Sequence, residues 1–223
     1  MSPADRPSRQ ALRRTRLTRL AIRLTPRWMV LAAALALGAP TGSTAQAAGP
    51  LDERGALGSM TCAACHGQAG NSRSSAMPII AGLDAAYFKK QIGDYVAGKR
   101  LSPEMEPYAK QVLNLGVDDV AAYFASRRRE PTPIQAPADA VARGRSAAAQ
   151  CVVCHGPQGQ GDAAKLIPSL AGQAPGYLRE QMLLFKQDRR SPGDPALAAL
   201  KALMKTIPDE TLGDLAAYYS SVR

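Results

Sequence analysis

Cys62-Ala63-Ala64-Cys65-His66 recurs 89 residues later as Cys151-Val152-Val153-Cys154-His155. A Cys-x-x-Cys-His pattern admits three chemistries. The thiols could form a thioredoxin-like redox pair, they could hold zinc with the histidine, or they could add to the two vinyl groups of a haem while the histidine ligates its iron. Only the third explains why His directly follows the second Cys, because thioether attachment there carries the imidazole under the porphyrin. A thioredoxin-like unit would place the motif after a strand in an α/β pattern, which this chain lacks. Four cysteines and two histidines could in principle supply a structural zinc site, but two repeats with one complete motif each fit two haems better.

All four cysteines lie inside the motifs, so none remains for a disulfide or for catalysis. The only two histidines are His66 and His155, so neither iron can take a second histidine from this chain. The sixth ligand is then Met, Lys, water or nothing. Methionine is the expected one for an electron carrier, because a soft thioether favours ferrous iron and raises the potential. Met105 is the candidate in the first copy, in the loop Ser102-Pro103-Glu104-Met105-Glu106-Pro107 between two helices and 39 residues after His66. Met60 and Met77, which precede the motif and Pro78, read as packing residues.

The repetition extends well beyond the motifs. Gly55 and Gly144 each lie seven residues before the first Cys, and Met77-Pro78-Ile79-Ile80-Ala81-Gly82-Leu83 matches Ile167-Pro168-Ser169-Leu170-Ala171-Gly172-Gln173. Tyr87, Gln91 and Arg100 answer Tyr177, Gln181 and Arg190. Apolar spacing is helical in both copies, with no cleanly alternating segment. Phe88, Ile92, Tyr95 and Val96 share a face after the cap Asp84 and before the stop Gly98, and Leu178, Met182 and Phe185 do the same. In the closing helices Val117, Val120, Ala121 and Phe124 correspond to Leu212, Leu215, Ala216 and Tyr219, as core positions. Two domains, 48–130 and 138–223, are expected about a proline-rich linker, 131–137, with Arg127-Arg128-Arg129 as a solvated helix end.

The first 47 residues read as a signal peptide. Eight arginines and one acid precede the apolar run from Trp28 to Ala39, and Ala45-Gln46-Ala47 supplies a cleavage site. Twelve apolar residues rise only about 18 Å as a helix, short of a ~30 Å hydrocarbon core. Without the leader the formal net charge falls from +10 to +3, and the four propionates of two haems would bring it close to neutral. A nucleic-acid partner inferred from the high pI is thereby excluded. The chain has one Trp, seven Tyr and three Phe, a supply of aromatic bulk that an internal cofactor would supplement.

Together these residues resemble the dihaem cytochrome c4 family, over nearly all of residues 50–223. The likeness is carried by both Cys-x-x-Cys-His motifs, Gly55 and Gly144, the Pro-x-x-Ala-Gly segments, and Ala121-Ala122-Tyr123-Phe124 with Ala216-Ala217-Tyr218-Tyr219. The resemblance implies an all-α chain of two tandem class I cytochrome c domains, each a small helical bundle around one covalent haem, with the haems facing one another. It implies two covalently bound haem c on Cys62, Cys65, Cys151 and Cys154, and electron transfer in the periplasm between a respiratory donor and a terminal oxidase. Peripheral membrane association would be compatible with that role, and no small-molecule substrate is expected. Pro78 and Pro168 would line the proximal side and hold His66 and His155, or act simply as turn residues. Two other functions compete. One is a cytochrome subunit held by a dehydrogenase, for instance in flavin-dependent sulfide oxidation. The other is a haem enzyme with an open second haem, for which the chain offers few acid-base candidates.

The second copy departs from the first. The closing helices set an offset of 95, which carries Met105 to Leu200, and about five extra residues, Ser191-Pro192-Gly193-Asp194-Pro195, lie just upstream. Either the longer loop shifts the register so that Met204 ligates the second iron, or Met204 is a core residue one turn beyond an unfilled position. Lys201 and Lys205 are a third option. For the first copy the expectation is sharp: Met105→Ala lowers that haem's potential and removes its methionine-to-iron charge-transfer absorption. Retention of both in a redox-titrated spectrum would identify the wrong ligand.

Overall fold

The structure, a computed structural model, describes residues 51–223. The leader and its cleavage near Ala47 lie outside the described residues. Among these residues the regular structure is helical, with two isolated bridges and no strand. The first copy holds α1 (Ala56–His66), α2 (Ala85–Val96), α3 (Met105–Leu115) and α4 (Val117–Ser126). The second holds α5 (Ala138–Ala147), α6 (Ala149–His155), α7 (Pro175–Lys186), α8 (Ala198–Thr206) and α9 (Asp209–Ser221).

Helix α2 shows how sequence sets these boundaries. The Asp84 carboxylate accepts the Tyr87 N–H at 2.8 Å, satisfying one of the orphan donors at the helix start. Beyond Val96, Gly98 turns the chain at φ 65, a conformation that costs a glycine little. Between these ends Phe88, Ile92 and Tyr95 bury one face against Ala109, Val112, Val120 and Phe124. In the second copy Ala148, Leu178, Leu212, Leu215 and Tyr219 form the corresponding core.

Both cores close at a glycine crossing. A Cβ on Gly55 would lie 2.1 Å from the Asp119 carbonyl oxygen, and one on Gly144 would lie 2.0 Å from that of Asp214. Asp119 and Asp214 are themselves 95 residues apart, so the offset read from the apolar pattern is the offset of the packing. The intervening loops fasten to the closing helices in the same register: Gly82 N–H donates to the Phe124 carbonyl and Gly172 N–H to that of Tyr219, both at 2.8 Å.

Residues 127–137 link the copies without helix, and they are stitched down. Thr132 is buried and its N–H donates to the Gly172 carbonyl at 2.8 Å. The arginine run is more than a solvated end. Arg127 lies 4.4 Å over the Tyr123 ring and pairs with Glu53, while Arg129 Nη2 donates to the Ala171 carbonyl of the second copy at 3.1 Å. Only Arg128 stands exposed in the expected way. The glycine crossing gives a direct test: Gly144→Ala forces a methyl into backbone and should destabilise the fold by about 3 kcal/mol, at the upper end of overpacking costs. An unchanged denaturant midpoint would refute the crossing.

Candidate functional site

Cys62, Cys65 and His66 occupy positions i, i+3 and i+4 in the last turns of α1, and Cys151, Cys154 and His155 repeat this on α6. That spacing puts two thiols and an imidazole on a single helix face. All four cysteines are free thiols. Burial pushes the Cys62 thiol up to about 11. The Cys151 thiol is raised by the same cause against the opposing Tyr219 hydroxyl. Both are therefore protonated at neutral pH, unlike the thiolate of a reactive redox pair. Among the described residues no three His, Cys, Asp or Glu side chains converge as a metal-ion site.

Each histidine is oriented by one hydrogen bond. His66 Nδ1 lies 2.8 Å from the Pro78 carbonyl oxygen, and His155 Nδ1 lies 3.0 Å from that of Pro168. A carbonyl can only accept, so Nδ1 carries the proton in both rings, and Nε2 is left with its lone pair for iron. Burial lowers both imidazoles from their ordinary value, against the raising effect of the proline carbonyl; at His66 the nearby Arg100 charge lowers it further. Neutral imidazole is the form that ligates a metal. Pro78 and Pro168 thus contribute through their carbonyl oxygens.

Met105 is the first residue of α3 rather than part of a loop, with its N–H on the Ser102 carbonyl at 3.1 Å. It is half-buried and packs against the first core, as Cys62 also does. Met204 lies deep in α8, 3% exposed. Lys201 Nζ donates to Asp188 Oδ1 at 2.6 Å and to the Ser191 carbonyl, and is thereby committed. Lys205 is exposed. Met60, read as a packing residue, is instead 55% exposed on α1, and Met77 is half-buried.

Sequence gave no sign that Tyr87, Gln91 and Arg100 would meet Tyr177, Gln181 and Arg190, since they registered only as repeat markers. The structure joins them into one buried network between the copies. Arg100 donates to Gln91 Oε1, Tyr177 Oη and Gln181 Oε1 at 2.8–2.9 Å. Arg190 donates to Gln181 Oε1, Tyr87 Oη and Gln91 Oε1 at 2.7–3.0 Å. The two backbones pair as an antiparallel bridge, and Tyr95 and Phe185 lie under the guanidiniums at 4.6 and 4.5 Å. Beside this near-symmetric patch, Gln173 clasps the first copy: its Oε1 accepts the Ile79 N–H at 2.7 Å and its Nε2 donates to the Ile79 carbonyl at 2.9 Å.

Both guanidiniums are buried and, among the described residues, neither is ion-paired, while Arg100 Nε has no hydrogen-bond partner. A buried charge of this kind wants an anion. The haem propionates would supply it, so the residues present fit the group: thiols for the vinyls, imidazole Nε2 for iron, and guanidinium for carboxylate.

The chain is similar to known c-type cytochromes. A family model described as Cytochrome c matches residues 141–223. A thiosulfate dehydrogenase electron acceptor of Stutzerimonas stutzeri (strain A1501) is 33% identical over 184 residues, covering 73% of this chain and 79% of that protein. Cytochrome c4 of Pseudomonas aeruginosa is 30% identical over 165 residues, covering 70% and 81%. The crystal structure of reduced recombinant cytochrome c4 from Pseudomonas stutzeri superposes with a TM-score of 0.68 at 26% identity, covering 76% of this chain and 97% of that one. The network makes its own prediction. Arg100→Gln removes a buried positive charge beside the first site, which favours ferric iron and should lower that haem's potential by tens of millivolts. A spectroelectrochemical titration that finds it unmoved would place Arg100 outside the haem's field.

Proposed function

This chain belongs to the cytochrome c4 family, and on that premise we propose that it is a periplasmic carrier passing electrons from a respiratory donor to a terminal oxidase. The observation that carries this reading is the paired imidazole: in both copies Nδ1–H is held by a proline carbonyl and Nε2 is free to ligate. A haem c, bound twice in this chain, supplies reversible one-electron chemistry at its iron. The protein residues hold that chemistry still. Cys62 and Cys65 in one copy, Cys151 and Cys154 in the other, fix the ring to a helix end. His66 and His155 provide the proximal ligands, with the Pro78 and Pro168 carbonyls fixing ring orientation and tautomer. Met105 provides the sixth ligand in the first copy, where a thioether raises the potential.

Two buried arginines between the copies favour an arrangement in which both haems present their propionates toward the shared junction. The peripheral membrane association compatible with this role would bring such a carrier to membrane-bound partners. A second reading is favoured by one relative: the Stutzerimonas stutzeri protein is a thiosulfate dehydrogenase electron acceptor. A dehydrogenase of that kind as donor fits the reading of a cytochrome subunit serving an enzyme. The motifs use every cysteine and histidine of the chain, and the chain's own role in either reading is that of redox carrier.

The donor can be decided by reduction kinetics. Purified oxidised holoprotein is mixed with a thiosulfate dehydrogenase plus thiosulfate, or with a quinol-oxidising complex plus quinol. Fast haem reduction by the second alone is expected for the carrier reading. Fast reduction by the first alone would overturn it in favour of the dehydrogenase partner.

A further inference from the structure

We infer that the haem at His155, unlike the one at His66, keeps an open sixth position capped by Leu200, and binds a small neutral ligand such as carbon monoxide there. This rests on the two-haem reading above and separates the two sites within it.

The register decides it. Two sets of backbone contacts tie the copies together with a shift of 95 along α4 and α9: Gly55 on Asp119 against Gly144 on Asp214, and Gly82 on Phe124 against Gly172 on Tyr219. Carried back into the preceding helix, the same shift pairs Met105 with Leu200 and Ala109 with Met204. Burial follows that pairing. Met105 and Leu200 are both half-buried, and each packs against the core of its own copy, as do Cys62 and Cys151 respectively. Ala109 and Met204 are both core members, 0% and 3% exposed. Met204 sits with Ala148, Leu178, Leu212 and Tyr219, where its thioether is one more apolar group.

The extra residues that could have shifted this register are used up before α8 begins. Ser191 and Gly193 turn at φ 48 and 71, and the Asp194 side chain caps a short 3₁₀ turn at Pro195–Leu197 by accepting the Ala196 N–H at 2.9 Å. Lys201, the nearest nitrogen donor on α8, is held by Asp188 and the Ser191 carbonyl. Leu200 carries no donor atom, so the place answering Met105 offers iron nothing and is apolar. A haem held there by Cys151, Cys154 and His155 would supply, when ferrous, a position for the lone pair of a neutral diatomic, which the apolar Leu200 surroundings favour over an anion. No electron or proton moves in this step.

The test uses dithionite-reduced holoprotein. Haem content is measured first; fewer than two haems per chain would sink the two-haem reading, not this inference. Carbon monoxide titration followed by absorption should then give one ligand per two haems. Leu200→Met should fill the position and abolish uptake, Met204→Leu, nearly volume-conserving, should leave uptake at one, and Met105→Leu should raise it to two. Absence of uptake in the unaltered protein overturns the inference because the sixth position is then filled, and a rise to two on Met204→Leu overturns it because Met204 is then what fills it.

Discussion

An iron-ligating imidazole must offer one ring nitrogen bare, and in this protein the carbonyls of Pro78 and Pro168 secure that by taking the proton of the other. Those carbonyls are in turn held in place. Ile80 N–H donates to the Gly70 carbonyl and Leu170 N–H to that of Gly159, and each loop then ties to the closing helix through Gly82 and Gly172. The chain of support runs from a packed core, through a hydrogen-bonded loop, to a single acceptor oxygen. Small losses anywhere along it would reach the imidazole as a change in ring angle.

The junction between the copies obeys a different constraint. Two guanidiniums are removed from water there, and their hydrogen bonds go to neutral amide and hydroxyl oxygens. Burial tends to push the Tyr177 hydroxyl up, but the two flanking guanidiniums prevail and lower it. Neutral acceptors orient such charges without cancelling them. A haem propionate bound there would complete the arrangement and join the junction to the haem sites electrostatically.

Much of this was legible from residue order. The two motifs, the paired glycines ahead of them, the Asp84 cap, the closing-helix faces and the offset of 95 are local or periodic, and each carries its own signal. The crossing that Gly55 and Gly144 make with the closing helices carries none. Other features depend on which surfaces meet, and no local pattern encodes that. Arg129 belongs to a charge run that reads as solvated, yet it reaches Ala171 because the linker folds back over the second copy. Met105 lies among prolines and reads as loop, but Ser102 accepts its N–H and starts α3 there. Met60 reads as packing from its place beside the motif, and its position on the outer face of α1 leaves it exposed. The Tyr, Gln and Arg markers were visible as duplicates, while their convergence needed the third dimension.

The clasp of Gln173 on Ile79 has no mirror image, because the residue that answers Gln173 in the first copy is Leu83. The Tyr–Gln–Arg patch is self-complementary, as in an isologous dimer, so two identical halves could build it from either side. The Gln173 contact is made on one edge alone, because Leu83 has no amide to offer the backbone of Ser169, which answers Ile79. A symmetric patch is thus fastened by a one-sided clasp, and the two edges of the junction are chemically distinct.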